Sequence, residues 1–186
     1  YWEQRKFTNF VEFFNGQTYS PTNVQENGTF VLRSSNVQNG EITKNDSVFI
    51  DSKVVNTNNV KIDDIIVVLR NGSRNLIGKH AQIKENMPNT VIGAFMTGIR
   101  SANSNFVNSL LNTSIFDNEI NKNMGATINQ ITGYMFSNMK FKIPKNKEQE
   151  KIGKVFYEID NLITLHQRKL EMLKNVKKSM LDKMFV

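Results

Sequence analysis

The pattern of apolar and polar positions changes near residue 143. Before that point, short apolar stretches alternate with turn signals, whereas residues 147–184 repeat apolar positions every three or four residues. The two patterns predict an α+β protein. We expect an irregular, β-rich domain with a small helical part at residues 1–143. We expect residues 144–186 to form a long C-terminal helix that pairs as a coiled coil.

Strand patterns occur in three segments of the first region. These are FVLRSSNV (30–37), IDDIIVVLR (62–70) and AQIKE (81–85). The turn signals ENG, QNG and RNGS separate such segments, because Asn and Gly tolerate a positive φ. The continuous apolar run at residues 65–69 predicts a strand that is buried on both faces.

A helical pattern follows at residues 103–122. Apolar side chains recur there at three- and four-residue steps, at Phe106, Leu110, Leu111, Ile115 and Phe116. We expect one helix, closing one side of the sheet.

The tail begins with PKNKEQ. Asn146 and Gln149 stand at the spacing of a capping box, with Asn146 as the cap. The following helix is roughly 55–60 Å long at about 1.5 Å per residue, so a domain of this size covers only part of its apolar stripe. We expect the stripe to contact a partner helix. Its residues are Ile152, Val155, Ile159, Leu162, Ile163, His166, Leu170, Leu173, Val176 and Met180. His166 either sets the register or lies at the edge of the stripe.

Charge is concentrated in the tail. Residues 1–139 hold 12 Lys and Arg against 11 Asp and Glu, whereas residues 140–186 hold 12 against 6. A basic surface fits nucleic acid, an anionic membrane or an acidic protein, and solvated helix lysines explain the same charge.

The chain has no Cys, which excludes disulfides and thiolate metal sites. It has no apolar run long enough for a membrane span, so we expect no membrane and a cytoplasmic location. The first residue is Tyr1 rather than Met, which predicts a fragment or a processed product.

A catalytic constellation is not found in the sequence. In the loop NGSRNLIGKH (71–80), five residues separate Gly72 from Gly78 and Lys79 precedes His80, so the phosphate-loop pattern fails. Asp63 and Asp64 are adjacent and would point to opposite sides of a strand. We expect a binding protein without catalytic residues, metal or cofactor.

Base-reading chemistry is concentrated in three polar segments. Arg can pair with guanine, and Asn or Gln with adenine, through two hydrogen bonds. The candidate DNA-binding residues are Arg33, Ser34, Ser35 and Asn36; Arg70, Asn71, Ser73, Arg74, Asn75, Lys79 and His80; and Thr127, Asn129 and Gln130. Taken singly, each segment is equally consistent with an ordinary polar turn.

The order of these motifs resembles the specificity (S, HsdS) subunit of type I restriction-modification systems. KIDDIIVVLRNGSRNLIGKHAQI is followed by an Asn- and Ser-rich helix, by NMGATINQI, and by FKIPKNKEQEKIGKVFYEIDNLI with a Lys- and Leu-rich run that ends in KMF. The tail is the most specific element. The resemblance covers one target recognition domain and one helical region, whereas the family usually has two of each. The opening WEQRKF resembles the start of a second recognition domain.

The resemblance implies a non-catalytic subunit that binds one half of a bipartite site in double-stranded DNA. It implies that the helix pairs with a second recognition half or with another copy, and that it docks methyltransferase (M) and restriction (R) subunits. Those subunits would bring S-adenosylmethionine and ATP. Two other readings stay open: a recognition-domain fragment of a fused restriction endonuclease-methyltransferase, and a coiled-coil adaptor that does not bind DNA.

Overall fold

The fold is taken from a computed structural model that describes residues 1–125 and 128–185. Its strands are β1 (Glu3–Lys6), β2 (Glu12–Asn15), β3 (Val24–Gln25), β4 (Thr29–Leu32), β5 (Val37–Gln38), β6 (Glu41–Ile42), β7 (Val48–Ile50), β8 (Ile65–Val68), β9 (His80–Gln82), β10 (Thr90–Ile92), β11 (Met96–Arg100) and β12 (Lys140–Ile143). Its α-helices are α1 (Ser104–Leu111), α2 (Ser114–Asn123), α3 (Gly133–Ser137) and α4 (Asn146–Met184). Short 3-10 helices lie at Phe7–Asn9, Pro21–Asn23, Ser34–Asn36, Ser52–Val54 and Arg74–Leu76. The predicted α+β class and the long C-terminal helix are confirmed.

Two four-stranded sheets form the centre of the β-rich part. One has the order β2-β11-β8-β9 and is antiparallel throughout. The other has the order β10-β4-β7-β3, in which β10 runs parallel to β4. Two further pairs, β1 with β12 and β5 with β6, are antiparallel ribbons.

The alternation of side chains along β8 separates two hydrophobic cores. Ile65 and Val67 face a cluster built with the helices, whereas Ile66 and Val68 face a cluster shared with the other sheet. All four residues are fully buried. The prediction of a strand buried on both faces is confirmed, although the strand ends at Val68.

The predicted strand at residues 30–37 is shorter in the structure. β4 ends at Leu32, and Ser34–Asn36 forms a 3-10 turn before β5 begins at Val37. The reason is Asn36, whose buried side chain bonds the loop around it and holds the backbone away from the ladder. The strand predicted at residues 81–85 lies at His80–Gln82 instead.

The single helix predicted at residues 103–122 is wrong, because α1 and α2 are separate helices. The first helix ends at Leu111, and Thr113 caps the second, since its Oγ1 accepts a hydrogen bond from the Phe116 amide at 3.3 Å. Ile115, expected in the apolar face, is 58% exposed after this break. The two helices nevertheless cover one face of the β2-β11-β8-β9 sheet, as predicted.

The capping box predicted at the start of α4 is also wrong. The cap residue is Lys145, with no side-chain cap hydrogen bond. The Gln149 side chain is buried and donates from Nε2 to the Pro144 carbonyl oxygen at 2.9 Å. Its Oε1 accepts a hydrogen bond from Asn103 Nδ2 at 3.1 Å. Gln149 therefore ties the helix to the residue before α1, a tertiary contact that the local motif did not indicate.

Gly153 marks the point where α4 crosses α1 most closely. A β-carbon at this position would lie 2.6 Å from the Phe106 backbone nitrogen and 3.1 Å from the Asn105 carbonyl carbon. Backbone atoms cannot yield as a flexible side chain can, so only glycine permits this crossing. Beyond it, the helix runs into solvent along most of its length.

Within the residues described, none of the helices combines the length and apolar character needed to cross a membrane.

Candidate nucleic-acid interface

Asn71 joins the three polar segments that the sequence analysis singled out. Its Nδ2 donates to Ser34 Oγ at 2.8 Å, which links the loop after β8 to the loop after β4. Its backbone amide donates to the Asn129 carbonyl at 3.3 Å, which links the third segment. Its Oδ1 accepts from the Ser73 amide at 3.0 Å and shapes its own loop. Segments that are far apart in sequence therefore form one surface, which we call the loop surface.

A second set of hydrogen bonds fixes the third segment to the loop after β8. Asn129 Nδ2 donates to the Gly72 carbonyl at 2.9 Å, and Arg70 pairs with Gln130 in an antiparallel bridge. Arg74 Nη1 reaches the Gly125 carbonyl at 3.4 Å. Thr127, also predicted to bind DNA, lies outside the described residues. Gln130 is half-buried at the edge of this set.

Arg33 and Asn36 are largely engaged within their own loop. Arg33 Nη2 donates to the Asp46 carboxylate at 2.7 Å and to the Asp46 carbonyl at 3.0 Å. Asn36 is fully buried: its Oδ1 accepts from the Arg33 amide, and its Nδ2 donates to the carbonyls of Thr43 and Asn45. Ser35, by contrast, is exposed. This loop is held rigid by its own polar groups.

The exposed cations of the loop surface are Arg70, Arg74 and Lys79. Across residues 1–125 and 128–185, none of the three forms an ion pair with a carboxylate. Ser73 and Asn75 are exposed in the same loop. The loop surface is therefore basic and has free hydrogen-bond donors, which suits an anionic, hydrogen-bonding ligand.

His80 faces away from the exposed cations of the loop surface, toward the helices. Its Nδ1 donates to the Gly78 carbonyl at 3.0 Å, and its ring meets Phe116 edge-on at 6.1 Å between centroids. Its Nε2 is buried without a hydrogen-bond partner among the described residues. Burial lowers the pKa of His80, and the Gly78 carbonyl and Asp117 oppose this shift in part. Gly78 makes the turn, with φ at +85°.

Phe95 belongs to the loop surface and was missed by the sequence analysis. It lies in the short turn between β10 and β11 and is 56% exposed. The Arg70 guanidinium carbon sits 4.9 Å from the centre of its ring. A single apolar residue in a turn gives no periodic signal, so nothing in the sequence pattern marked it.

The predicted apolar stripe of α4 lies uncovered along the helix. Apart from Ile152, which packs partly against the core, every predicted interface residue from Val155 to Met180 is exposed, and the apolar ones by 43% to 58%. Between α4 and the β-rich part runs a groove of about 1410 Å³. Its lining includes Ile152, Phe156, Ile163 and Leu170 from α4 and Phe106 and Leu110 from α1.

Acidic residues do not form a metal centre in the parts of the chain that are described. No group of three or more His, Asp or Glu side chains comes together there in a way that could hold an ion. Asp64 is buried and is held by Arg100, which donates from Nε to Oδ1 at 2.8 Å and from Nη2 to Oδ2 at 2.7 Å. Its neighbour Asp63 accepts a hydrogen bond from Gln82 at 3.1 Å. The adjacent carboxylates therefore have separate structural partners.

The β-rich body gathers three polar loops into one surface and carries a long helix whose apolar stripe is uncovered. The chain belongs to the type I restriction modification DNA specificity domain family, whose model matches residues 1–175.

Two relatives and one solved structure illustrate the match. The chain is 24% identical over 194 residues to the type I restriction enzyme StySPI specificity subunit of Salmonella potsdam, covering 97% of this chain and 42% of that protein. It is 26% identical over 161 residues to the type I restriction enzyme EcoKI specificity subunit of Escherichia coli K12, covering 81% of this chain and 34% of that protein. The crystal structure of a type I restriction-modification system S subunit from M. genitalium matches in fold, with a TM-score of 0.64, 16% identity, and coverage of 100% of this chain and 46% of that one. The chain thus spans less than half the length of each.

Proposed function

We propose that residues 1–143 are a target recognition domain that binds one half of a bipartite site in double-stranded DNA. The observation that carries this proposal is the convergence of three polar loops at Asn71. Loops on a rigid β scaffold can present Arg, Asn and Gln donors at fixed positions, which base-edge recognition requires. The family match supports the same function.

The exposure of each predicted residue divides the candidate contacts. Exposed side chains are proposed to reach bases or phosphates: Ser35, Arg70, Ser73, Arg74, Asn75 and Lys79. Residues whose polar groups are engaged within the protein are proposed to hold the loops: Arg33, Ser34, Asn36, Asn71, His80 and Asn129. Gln130 lies between the two groups. Base contacts give specificity only where the donor is held in place, so both sets serve recognition.

Residues 144–186 are proposed to be the helical region that assembles the complex. The uncovered stripe and the groove of about 1410 Å³ beside it fit a second helix. That helix would come from a second recognition half or from another copy of this chain. The assembled pair would fix the distance between two DNA half-sites and dock M and R subunits. The chain itself contributes no catalytic group, and S-adenosylmethionine and ATP would enter with those subunits.

Mapping of methylated sites across the genome, with and without the gene, tests the whole proposal. We expect one bipartite motif to lose its methylation when the gene is deleted. An unchanged methylation map in a strain with active M subunits would contradict a role in specificity.

Arg74 gives the residue-level test. In the complex assembled with M subunits, Arg74→Ala is expected to weaken binding of the cognate duplex by about 1–3 kcal/mol if it pairs with a base. The control is Arg5→Ala, since Arg5 lies on β1 and is paired with Glu3. Equal affinities for wild type and Arg74→Ala would remove Arg74 from the contact set. Affinity that did not fall with rising salt would favour an adaptor that does not bind DNA.

A further inference from the structure

The turn between β10 and β11 places an apolar side chain within the basic loop surface. Phe95 is 56% exposed, although its ring lies against the Arg70 guanidinium. Exposed single apolar residues are common on proteins. This one differs because its backbone is hydrogen-bonded within the fold and its ring is in contact with Arg70.

Hydrogen bonds hold the Phe95 backbone from both sides of the turn. Its carbonyl oxygen accepts from the Leu69 amide at 2.9 Å and from the Arg70 amide at 3.1 Å. Earlier in the turn, the Gly93 amide donates to the Leu32 carbonyl at 2.8 Å. Gly16 packs so closely that a β-carbon there would collide with the Gly93 carbonyl. The turn therefore cannot fold back to bury the ring without breaking these contacts.

The ring of Phe95 is in contact with Arg70. The guanidinium lies over one face at 4.9 Å, which is a favourable cation–π distance. The side chain is still more than half exposed, so another apolar group can reach it from solvent. A preorganised side chain loses little conformational freedom on binding.

We propose that Phe95 is a specificity-determining residue that packs against the 5-methyl group of a thymine in the DNA half-site. This proposal rests on the proposed recognition function and adds a residue to it. The thymine methyl is the one apolar feature on the base edges of the major groove, and Phe is a side chain suited to contact it. Because Arg70 lies against the ring, the two residues would contact neighbouring base pairs. Phe95 would make the apolar contact, and Arg70 would donate hydrogen bonds.

Replacement of each thymine by deoxyuridine tests the contact, because deoxyuridine lacks only the methyl group. Duplexes carrying the half-site from the methylation map are measured with the complex of the full chain and its M subunits. For wild type, one substitution is expected to lower affinity about fourfold, as the loss of one buried methyl implies. The Phe95→Ala complex is expected to bind the duplex with thymine at that position and the duplex with deoxyuridine there with equal affinity.

Two variants keep the test specific. Phe95→Leu retains an apolar side chain and is expected to preserve part of the thymine preference. Ile62→Ala removes another exposed apolar residue, 53% exposed, that lies beyond the opposite end of β8, and it is expected to bind like wild type.

The proposal is overturned if Phe95→Ala keeps the wild-type deoxyuridine profile, or if no thymine position responds in a wild-type complex that discriminates its cognate site. A wild-type complex that does not discriminate cognate from random DNA would instead contradict the recognition function itself. The two failures are therefore distinguishable.

Discussion

The β-rich part and the long helix use the same apolar residue types with opposite outcomes. Ile65 and Ile66 are fully buried in β8, whereas Ile159 and Ile163 in α4 are 43% and 49% exposed. The β-rich part closes around three hydrophobic clusters. Helix α4 has 39 residues, and its buried positions are Gln149 and Gly153, both near its beginning.

Apolar residues in the β-rich part are buried by the fold itself, whereas the exposed stripe of α4 is not. Burying one Leu side chain contributes about 1.5–3 kcal/mol, and the β-rich part gains this from its own contacts. The stripe of α4 gains it only when another surface covers the helix. Substitutions in the two regions should therefore appear in different measurements: unfolding for the first, association for the second.

The largest effect is expected from placing charges in the stripe. Leu162→Lys combined with Leu173→Lys removes two apolar contacts, so association through α4 should weaken by about 3–6 kcal/mol. Sedimentation with the partner, or of the chain alone, measures this. The paired control is Asn161→Lys with Asn175→Lys, which adds the same charge on the opposite side of the helix. If both pairs behaved alike, the stripe would not be the interface.

A comparable effect is expected inside the β-rich part from Arg100→Ala. Asp64 has a side-chain exposure of 2% and would lose its cation, and an unpaired buried charge costs about 3–5 kcal/mol. Urea unfolding followed by circular dichroism measures the change. Arg5→Ala provides the exposed comparison, since the Arg5–Glu3 pair is solvated and such pairs contribute about 0–1 kcal/mol. Similar decreases of the unfolding free energy in Arg100→Ala and Arg5→Ala would contradict a larger contribution from the buried Asp64–Arg100 pair.

Gly153→Ala tests the junction between the regions. The added β-carbon would press on the Phe106 backbone, and overpacking of this kind costs about 1–3 kcal/mol. We expect a lower unfolding free energy and looser attachment of α4, visible as faster amide exchange at Gln149. Gly133→Ala is the matched control, because a β-carbon there meets nothing within 4 Å. A Gly153→Ala protein as stable as the control would show that the crossing can relax.

The smallest effect concerns His80 and pH. Its pKa is lowered by burial in the folded state from the ordinary value of 6.5, so the unfolded chain binds a proton more readily. Stability from this residue is therefore present above that value and is lost as the pH falls below it. We expect His80→Gln to flatten the decline of the unfolding free energy between about pH 7 and pH 5. Between pH 8 and pH 7 the unfolding free energies of wild type and His80→Gln should change in parallel. An equal decline of both between pH 7 and pH 5 would contradict a contribution from His80.

Sequence patterns were sufficient where the structure follows local periodicity. The apolar run at residues 65–69 and the repeat of α4 gave the right element types, because burial on both faces and a 3.6-residue period leave clear signatures. The polar loops were also identified, but their meeting point was not. The hydrogen bond from Asn71 to Ser34 joins residues 37 positions apart, and only the folded chain brings them together.

The errors occurred where a polar side chain makes a hydrogen bond that the local pattern does not indicate. Gln149 matched a local capping pattern, yet it binds Asn103 across the junction. Thr113 divides a helical pattern because its hydroxyl accepts a hydrogen bond from the Phe116 amide and caps α2. Asn36 ends a strand pattern by bonding its own loop. In each case a polar side chain competes with regular backbone structure, and spacing alone does not reveal which wins.

The pairing of β1 with β12 has a consequence for how such chains can change. Glu3 lies opposite Ile143, and Lys6 lies opposite Lys140, so the polypeptide enters and leaves the β-rich part side by side. The segment from β2 to α3 therefore begins and ends at adjacent strands, so a change in its length need not move the start of α4 relative to β1.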